Sequence, residues 1–262
     1  MFIELVGSLR CVRQHRLTWL VVSAYRMDAR DIVSGELGCP ACSARYPIER
    51  GIADFRDPEG SAVSQAGSPQ SRELSPAPQP ALASQPTPAR TAAREGRGDA
   101  VGGGAHRDDA AGGDPTEVSL RLAALLDITT PGGVVVLAGE WARGARALAT
   151  GEIVERVHVL ALDPPDGMES GGGVSIALTS DEMPVRPVAA RGIALDAAHT
   201  APDYMASAAR SLLPGARLLA PVETAIPAGL TELARDERNW LAVKGADPRS
   251  VAMLKLRARG AK

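Results

Sequence analysis

The stretch Val134-Val135-Val136-Leu137-Ala138-Gly139-Glu140-Trp141-Ala142-Arg143-Gly144 sets five apolar residues in a row before a bend bounded by glycine. An unbroken aliphatic run of this kind is a strand covered on both faces, which requires helices above and below a parallel sheet. Comparable runs follow at Val157–Leu162, Val174–Leu178, Ile193–Leu195 and Arg217–Val222, with helical patterns between several of them. Upstream, Val118, Leu122, Leu125 and Leu126 share one helical face behind Thr116, which reads as its N-cap. Downstream, Pro202 opens a helix over 202–213 that Pro214-Gly215 ends. The alternation predicts an open, mostly parallel α/β sheet over residues 117–262.

The rest of the chain is built differently. Residues 57–116 hold eight Pro and nine Gly, with Val63, Leu74, Leu82 and Val101 as the only large aliphatic residues. Such a segment cannot bury enough apolar area to offset roughly 1–2 kcal/mol per residue of backbone entropy, so it reads as a disordered linker. Residues 1–56 carry five of the eight aromatics but are too short for a large core, and chains of that size usually need a staple. With 29 Lys+Arg against 31 Asp+Glu, the net charge of −2 offers no field to draw in nucleic acid or an anionic membrane. Only three aromatics in 117–262 leave little for base stacking, which argues against a nucleic-acid partner. No run approaches 18 apolar residues, and Leu17 to Ala24 is broken by Thr18 and Ser23, so the chain is expected to be cytoplasmic with no membrane span. There is no phosphate-binding glycine loop with its lysine, no H-E-x-x-H and no G-x-S-x-G.

Cys39-Pro-Ala-Cys42, followed by Tyr46-Pro47-Ile48 and Gly51-Ile52-Ala53-Asp54-Phe55, resembles the small zinc-ribbon family whose members activate methyltransferases or precede a methyltransferase domain in one chain. The resemblance covers nearly all of residues 1–56. It implies two C-x-x-C knuckles presenting four ligands to a structural zinc ion. Here the first knuckle departs from the pattern: Cys11 is present, but Gln14 stands three residues on and His15 follows it. Cys11, His15, Cys39 and Cys42 would make a Cys3His set. The alternative is a metal-free core of Trp19, Tyr25, Tyr46 and Phe55.

The string Tyr204–Leu219, with Leu212-Leu213-Pro214-Gly215-Ala216-Arg217-Leu218, is similar to the R-V-L-K-P-G-G-R-L element of class I methyltransferases that use S-adenosylmethionine. Ser180-Asp181-Glu182-Met183-Pro184 resembles their segment after the third strand, and Leu233–Val243 with Val251–Arg259 reads as their closing antiparallel hairpin. The resemblance implies a Rossmann-like seven-strand methyltransferase-type sheet behind a zinc-ribbon-like β domain (1–56) and the linker (57–116). It implies cofactor contacts from Gly139 and Gly144 in the first turn, from Asp163 to the ribose and from Asp181 and Glu182 to the adenine. Asp196 and His199, at the end of the fourth strand, are the candidate catalytic pair, with a loop-capping role as the other reading.

The D/E-x-G-x-G-x-G pattern of that family is poorly kept: aligned through Ala145, the acid becomes Ala138, two glycines become Glu140 and Ala142, and Gly144 alone survives. A bulky Trp141 and a charged Glu140 would fill space the cofactor needs. The expected function is a non-catalytic binding or scaffold relative, either pairing with a separate methyltransferase or carrying its ribbon docked on its own sheet. The alternative is an active methyltransferase of unknown acceptor.

Overall fold

The computed structural model describes residues 1–13, 15, 18–56, 115–150 and 157–245. Most of the sequence-expected linker, and the Val251–Arg259 stretch, lie outside these residues. Among the described residues eleven strands form one sheet, in the spatial order Val21–Asp28, Asp31–Gly38, Arg45–Glu49, Ile52–Asp54, Val174–Leu178, His158–Leu162, Val134–Ala138, Ala190–Ala194, Leu212–Pro221, Asn239–Lys244 and Leu230–Arg235.

The carboxy-terminal part supplies β5 (Val134–Ala138), β6 (His158–Leu162), β7 (Val174–Leu178), β8 (Ala190–Ala194), β9 (Leu212–Pro221), β10 (Leu230–Arg235) and β11 (Asn239–Lys244). The first five pair in parallel, and β11 inserts antiparallel between β9 and β10. Strand order reverses between β5 and β8, the doubly wound arrangement in which ligands bind beyond the strands' carboxyl ends. This is a Rossmann-like sheet of seven strands.

The continuous apolar runs are explained by two cores, one on each face. Val134, Val136 and Ala138 of β5 and Leu160 and Leu162 of β6 join the cluster with Tyr204 and Met205 of α3 (Pro202–Ser211). Val135, Leu137, Val159 and Ala161 join the opposite cluster, under α1 (Pro115–Leu125) and α2 (Ala145–Ala149). Thr116 lies inside α1 rather than capping it, because the helix begins at Pro115. The closing hairpin is β10–β11, joined at Asp236–Arg238, where the Asp236 carboxylate accepts from the amides of Arg238 (2.8 Å) and Asn239 (2.6 Å). It therefore falls earlier in the chain than the sequence pattern suggested. Leu212 follows α3 without a break, and the expected stop at Pro214-Gly215 becomes an irregularity where pairing with β8 shifts from Ala190↔Leu212 to Gly192↔Arg217.

The amino-terminal part forms β1 (Val21–Asp28), β2 (Asp31–Gly38), β3 (Arg45–Glu49) and β4 (Ile52–Asp54), all antiparallel neighbours. Arg50 and Gly51 both have positive φ, 51° and 78°, the backbone a two-residue hairpin turn requires. β4 then lies parallel to β7, pairing Ile52↔Ile176, Ala53↔Ala177 and Asp54↔Leu178, and the Phe55 amide donates to the Leu178 carbonyl (2.8 Å). A second tie runs through Leu9, bridged to Val185, with the Arg10 amide donating to the Pro184 carbonyl (2.9 Å). The β4 edge is thus occupied by this chain's own third Rossmann strand. Among the described residues no helix is long and apolar enough to cross a membrane.

Candidate functional site

At the carboxyl ends of the strands, Asp163 follows β6, Thr179 follows β7, and Asp196 and His199 follow β8. Chain order separates them; the β7-β6-β5-β8 neighbourhood brings them to one rim. His199, 7% exposed, spans the two acids: Nδ1 donates to Asp196 Oδ1 (2.6 Å) and Nε2 to Asp163 Oδ2 (3.0 Å). Asp163 also accepts from the Thr179 amide at Oδ1 (2.9 Å) and from the Thr179 hydroxyl at Oδ2. Asp196 accepts from the amides of Ala198 (3.2 Å) and Glu140 (3.2 Å). Tyr204 closes the floor, its hydroxyl 3.3 Å from Thr179 Oγ1 and its ring tilted against the imidazole at 5.2 Å.

Burial alone would lower the His199 pKa, but hydrogen bonds and charge from Asp163 and Asp196 outweigh it and raise the value to about 9. Asp196 moves the other way: burial would raise it, and His199 with the two amides brings it below the ordinary carboxylate value. The imidazole is therefore a cation at neutral pH, held between two anions that lie on opposite sides of its ring. A base already carrying its proton cannot accept another, which weighs against Asp196 and His199 as a general-base pair.

The raised histidine contributes stability that is complete below its unfolded value near 6.5 and lost as pH rises through about 9. The depressed Asp196 contributes above its unfolded value of 3.8 and less as pH falls through its folded value. We expect His199→Asn to lower unfolding free energy by on the order of 2–3 kcal/mol at pH 6–7 and by much less near pH 10. Urea titrations across that range check it; a cost independent of pH would refute the clamp.

The positions expected to hold S-adenosylmethionine are used otherwise. Gly139 has φ +55°, and the space beside its bare Cα is taken by the Asp196 carboxylate, with which a Cβ would collide. Gly144 serves packing: a Cβ there would come within 3.1 Å of Val118 and 3.2 Å of Leu122 on α1. Trp141 lies across the β5/β8 reversal, its indole N–H donating to the Leu195 carbonyl (3.1 Å). Asp181 is exposed, and Glu182 turns to Arg10 (3.1 Å) and Arg210 (3.7 Å) rather than into the cleft. The cleft along Gly139, Asp163, Thr179, Asp196 and His199 measures about 330 Å³. Its ribose-type acid accepts from three internal donors, and the Asp196 carboxylate stands against the glycine turn.

The cysteines converge on a separate site. Cys11 lies in the segment before β1; Cys39 and Cys42 lie in the turn between β2 and β3, where the Cys39 amide donates to the Ala44 carbonyl (2.8 Å) and the Ser43 amide to the Cys39 carbonyl (2.9 Å). The ligand atoms of Cys11, His15, Cys39 and Cys42 all lie within 4.8 Å of one another. Cys11 Sγ is 3.6 Å from Cys42 Sγ, and Cys39 Sγ is 3.4 Å from His15 Nε2. Tetrahedral zinc with Zn–S of about 2.3 Å sets S···S edges of about 3.7 Å, with S···N edges slightly shorter, so the donor set fits zinc. The buried Tyr46 hydroxyl lies 2.9 Å from Cys11 Sγ, an outer contact that fixes the ligand. Tyr46 and Phe55 are core residues with ring centroids 4.6 Å apart, whereas Trp19 and Tyr25 are 73% and 69% exposed. An aromatic core made of all four is not what the structure shows.

No family model matches the sequence, and no curated protein matches it. Among solved structures, a complex of the Haloferax volcanii Trm112 methyltransferase activator with a methyltransferase aligns at 13% identity over 50% of this chain and 93% of that one, TM-score 0.36. MycE methyltransferase of the mycinamycin pathway, with Mg and SAH, aligns at 11% identity over 54% and 55%, TM-score 0.38. A sarcosine dimethylglycine methyltransferase of Galdieria sulphuraria aligns at 15% over 40% and 45%, TM-score 0.32. This chain spans about half the length of the last two.

Proposed function

We propose that this chain is a methyltransferase-like scaffold that does not transfer methyl groups: a Rossmann-like sheet carrying its own zinc-bound ribbon in cis and pairing with a separate methyltransferase. The observation that carries this reading is the Asp163–His199–Asp196 clamp. It satisfies with protein groups the acid and the glycine turn that a cofactor would need free. The zinc, held by Cys11, His15, Cys39 and Cys42, is structural, because four protein ligands leave no open coordination position. A partner has to use a surface other than the β4 edge, which β7 already fills.

Calorimetric titration of the full-length chain with S-adenosylmethionine and S-adenosylhomocysteine tests this reading. We expect neither heat nor a melting shift at millimolar ligand. Binding at a hundredth of the ligand concentration would stabilise the fold by about 2.7 kcal/mol, which no thermal scan would miss. Saturable binding in the micromolar range overturns the scaffold reading and restores the enzyme.

A further inference from the structure

On the other flank of the β5/β8 reversal a second cleft of about 330 Å³ opens between α1, the 139–144 bend, the end of β9 and the β10–β11 turn. It shares only Glu140 and Asp196 with the clamped cleft. Its apolar wall is Trp141, Val118, Pro221 and Ala197. Trp141 stands between Glu140 and Ala142, the two residues that replace glycines of the pattern, and its bond to the Leu195 carbonyl fixes the indole at the switch point. There a doubly wound sheet presents ligands, and the volume suits a small molecule.

The charges around this wall are mostly spent. Arg143 Nε donates to Glu140 Oε2 at 2.6 Å, Asp196 is neutralised by His199, and Arg121 reaches Asp236 at 3.9 Å. Arg238 also faces Asp236, whose pKa is lowered first by the amides of Asn239 and Arg238 and then by the charges of Arg121 and Arg238. Glu223 and Glu237 line the same cleft with no hydrogen bond or ion pair among the described residues. Asp236 is one carboxylate facing two guanidinia, so with Glu223 and Glu237 counted the balance is one net negative charge, beside an aromatic face and apolar side chains.

We propose that this cleft binds a small amphipathic organic cation, an apolar body with one ammonium group. The body packs on Trp141, Val118 and Pro221, and the ammonium pairs with Glu223 and Glu237 while drawing on the indole face. A metal ion lacks the apolar body, and an organic anion would meet the unpaired carboxylates. The inference does not rest on whether the Asp163 cleft takes a cofactor.

The test uses the full-length chain and follows the Trp141 indole N–H resonance, assigned with Trp141→Phe. Three probes of one shape are titrated: phenethylammonium, neutral 2-phenylethanol and anionic phenylacetate. The expected result is saturable movement of that resonance with phenethylammonium, about tenfold tighter than 2-phenylethanol, and none with phenylacetate. The double substitution Glu223→Gln with Glu237→Gln, both exposed and outside the core, is expected to erase the preference for the cation without shifting Tm. Equal binding of the cation and its neutral isostere, preference for the anion, selectivity retained in the double variant, or no saturable response to millimolar phenethylammonium each overturns the proposal.

Discussion

Purified full-length chain is expected to carry about one zinc per molecule, and Cys39→Ser to reduce this to a small fraction while lowering Tm by well over 10 °C. The size of the effect follows from what the ion replaces. Residues 1–56 cannot close a large core of their own, and four donors from two separated segments already lie within 4.8 Å of one another. Structural zinc in small domains supplies apparent binding energies of about 10–16 kcal/mol, which is folding energy because the unfolded chain has no preformed site. Losing even a third of that, about 3–5 kcal/mol, would shift a domain of this size by about 7–20 °C, at about 2–4 °C per kcal/mol, and losing more would take it well past 10 °C. The damage should spread, since Tyr46, Phe55 and Ala53 belong to the same apolar cluster as β5, β6 and α3. Tyr46→Phe provides the graded control: it keeps the ring and removes the hydroxyl beside Cys11, so zinc affinity should fall roughly 10–100-fold with the fold intact. Elemental analysis and thermal melts with and without chelator decide the matter. Protein equally stable without metal would show that the cluster is only a set of packed thiols.

The strands buried on both faces were legible because they are almost wholly apolar: Val134–Ala138 has no polar residue, and Val174–Leu178 has Ser175 alone, whose hydroxyl accepts from the Phe2 amide (2.9 Å). The edges were harder. β10 exposes nearly every side chain, including Leu233 at 50%, so burial imposed no pattern on it. β1 carries Trp19 just ahead of it and Val21, Tyr25 and Met27 within it, all exposed, so aromatic content there did not mean core. At the site, Asp163, Asp196 and His199 could each be read as strand-end residues. Their joining could not, because a bond across 36 positions exists only once β6 and β8 flank β5. Glu182 was assigned to a cofactor because its true partner, Arg10, lies 172 residues away.

That arginine supports the second large effect: Arg10→Met should cost on the order of 3–4 kcal/mol of unfolding free energy, far more than an ordinary surface charge. Its side chain is 8% exposed and fully used. Nε donates to the Val185 carbonyl (3.3 Å), Nη1 to the Cys11 carbonyl (3.2 Å), and Nη2 to Ser207 Oγ (2.9 Å) and Glu182 Oε2 (3.1 Å). Methionine keeps the stem but leaves the Cys11 carbonyl without its donor, whereas Val185 still accepts from Ser211 Oγ (2.9 Å) and Ser207 still donates to the Met183 carbonyl (3.3 Å). The cost is that one stranded carbonyl plus the lost charge-assisted bonds, each about 1.5–3 kcal/mol before relaxation. Glu182 loses less, being partly exposed and still 3.7 Å from Arg210, so Glu182→Gln should cost under about 1 kcal/mol. Arg10→Lys should recover only part of the loss, because one ammonium cannot reproduce the fork that reaches four acceptors. The acceptors also link two sites: Cys11 belongs to the proposed zinc site, and Ser207 lies one helical turn from Tyr204 in the floor of the His199 cleft. Arg10→Met should therefore speed zinc release to a chromogenic chelator as well as shift the urea midpoint. An unchanged release rate with a lowered midpoint would mean that the arginine only packs the arm onto the sheet and does not hold the zinc loop through Cys11.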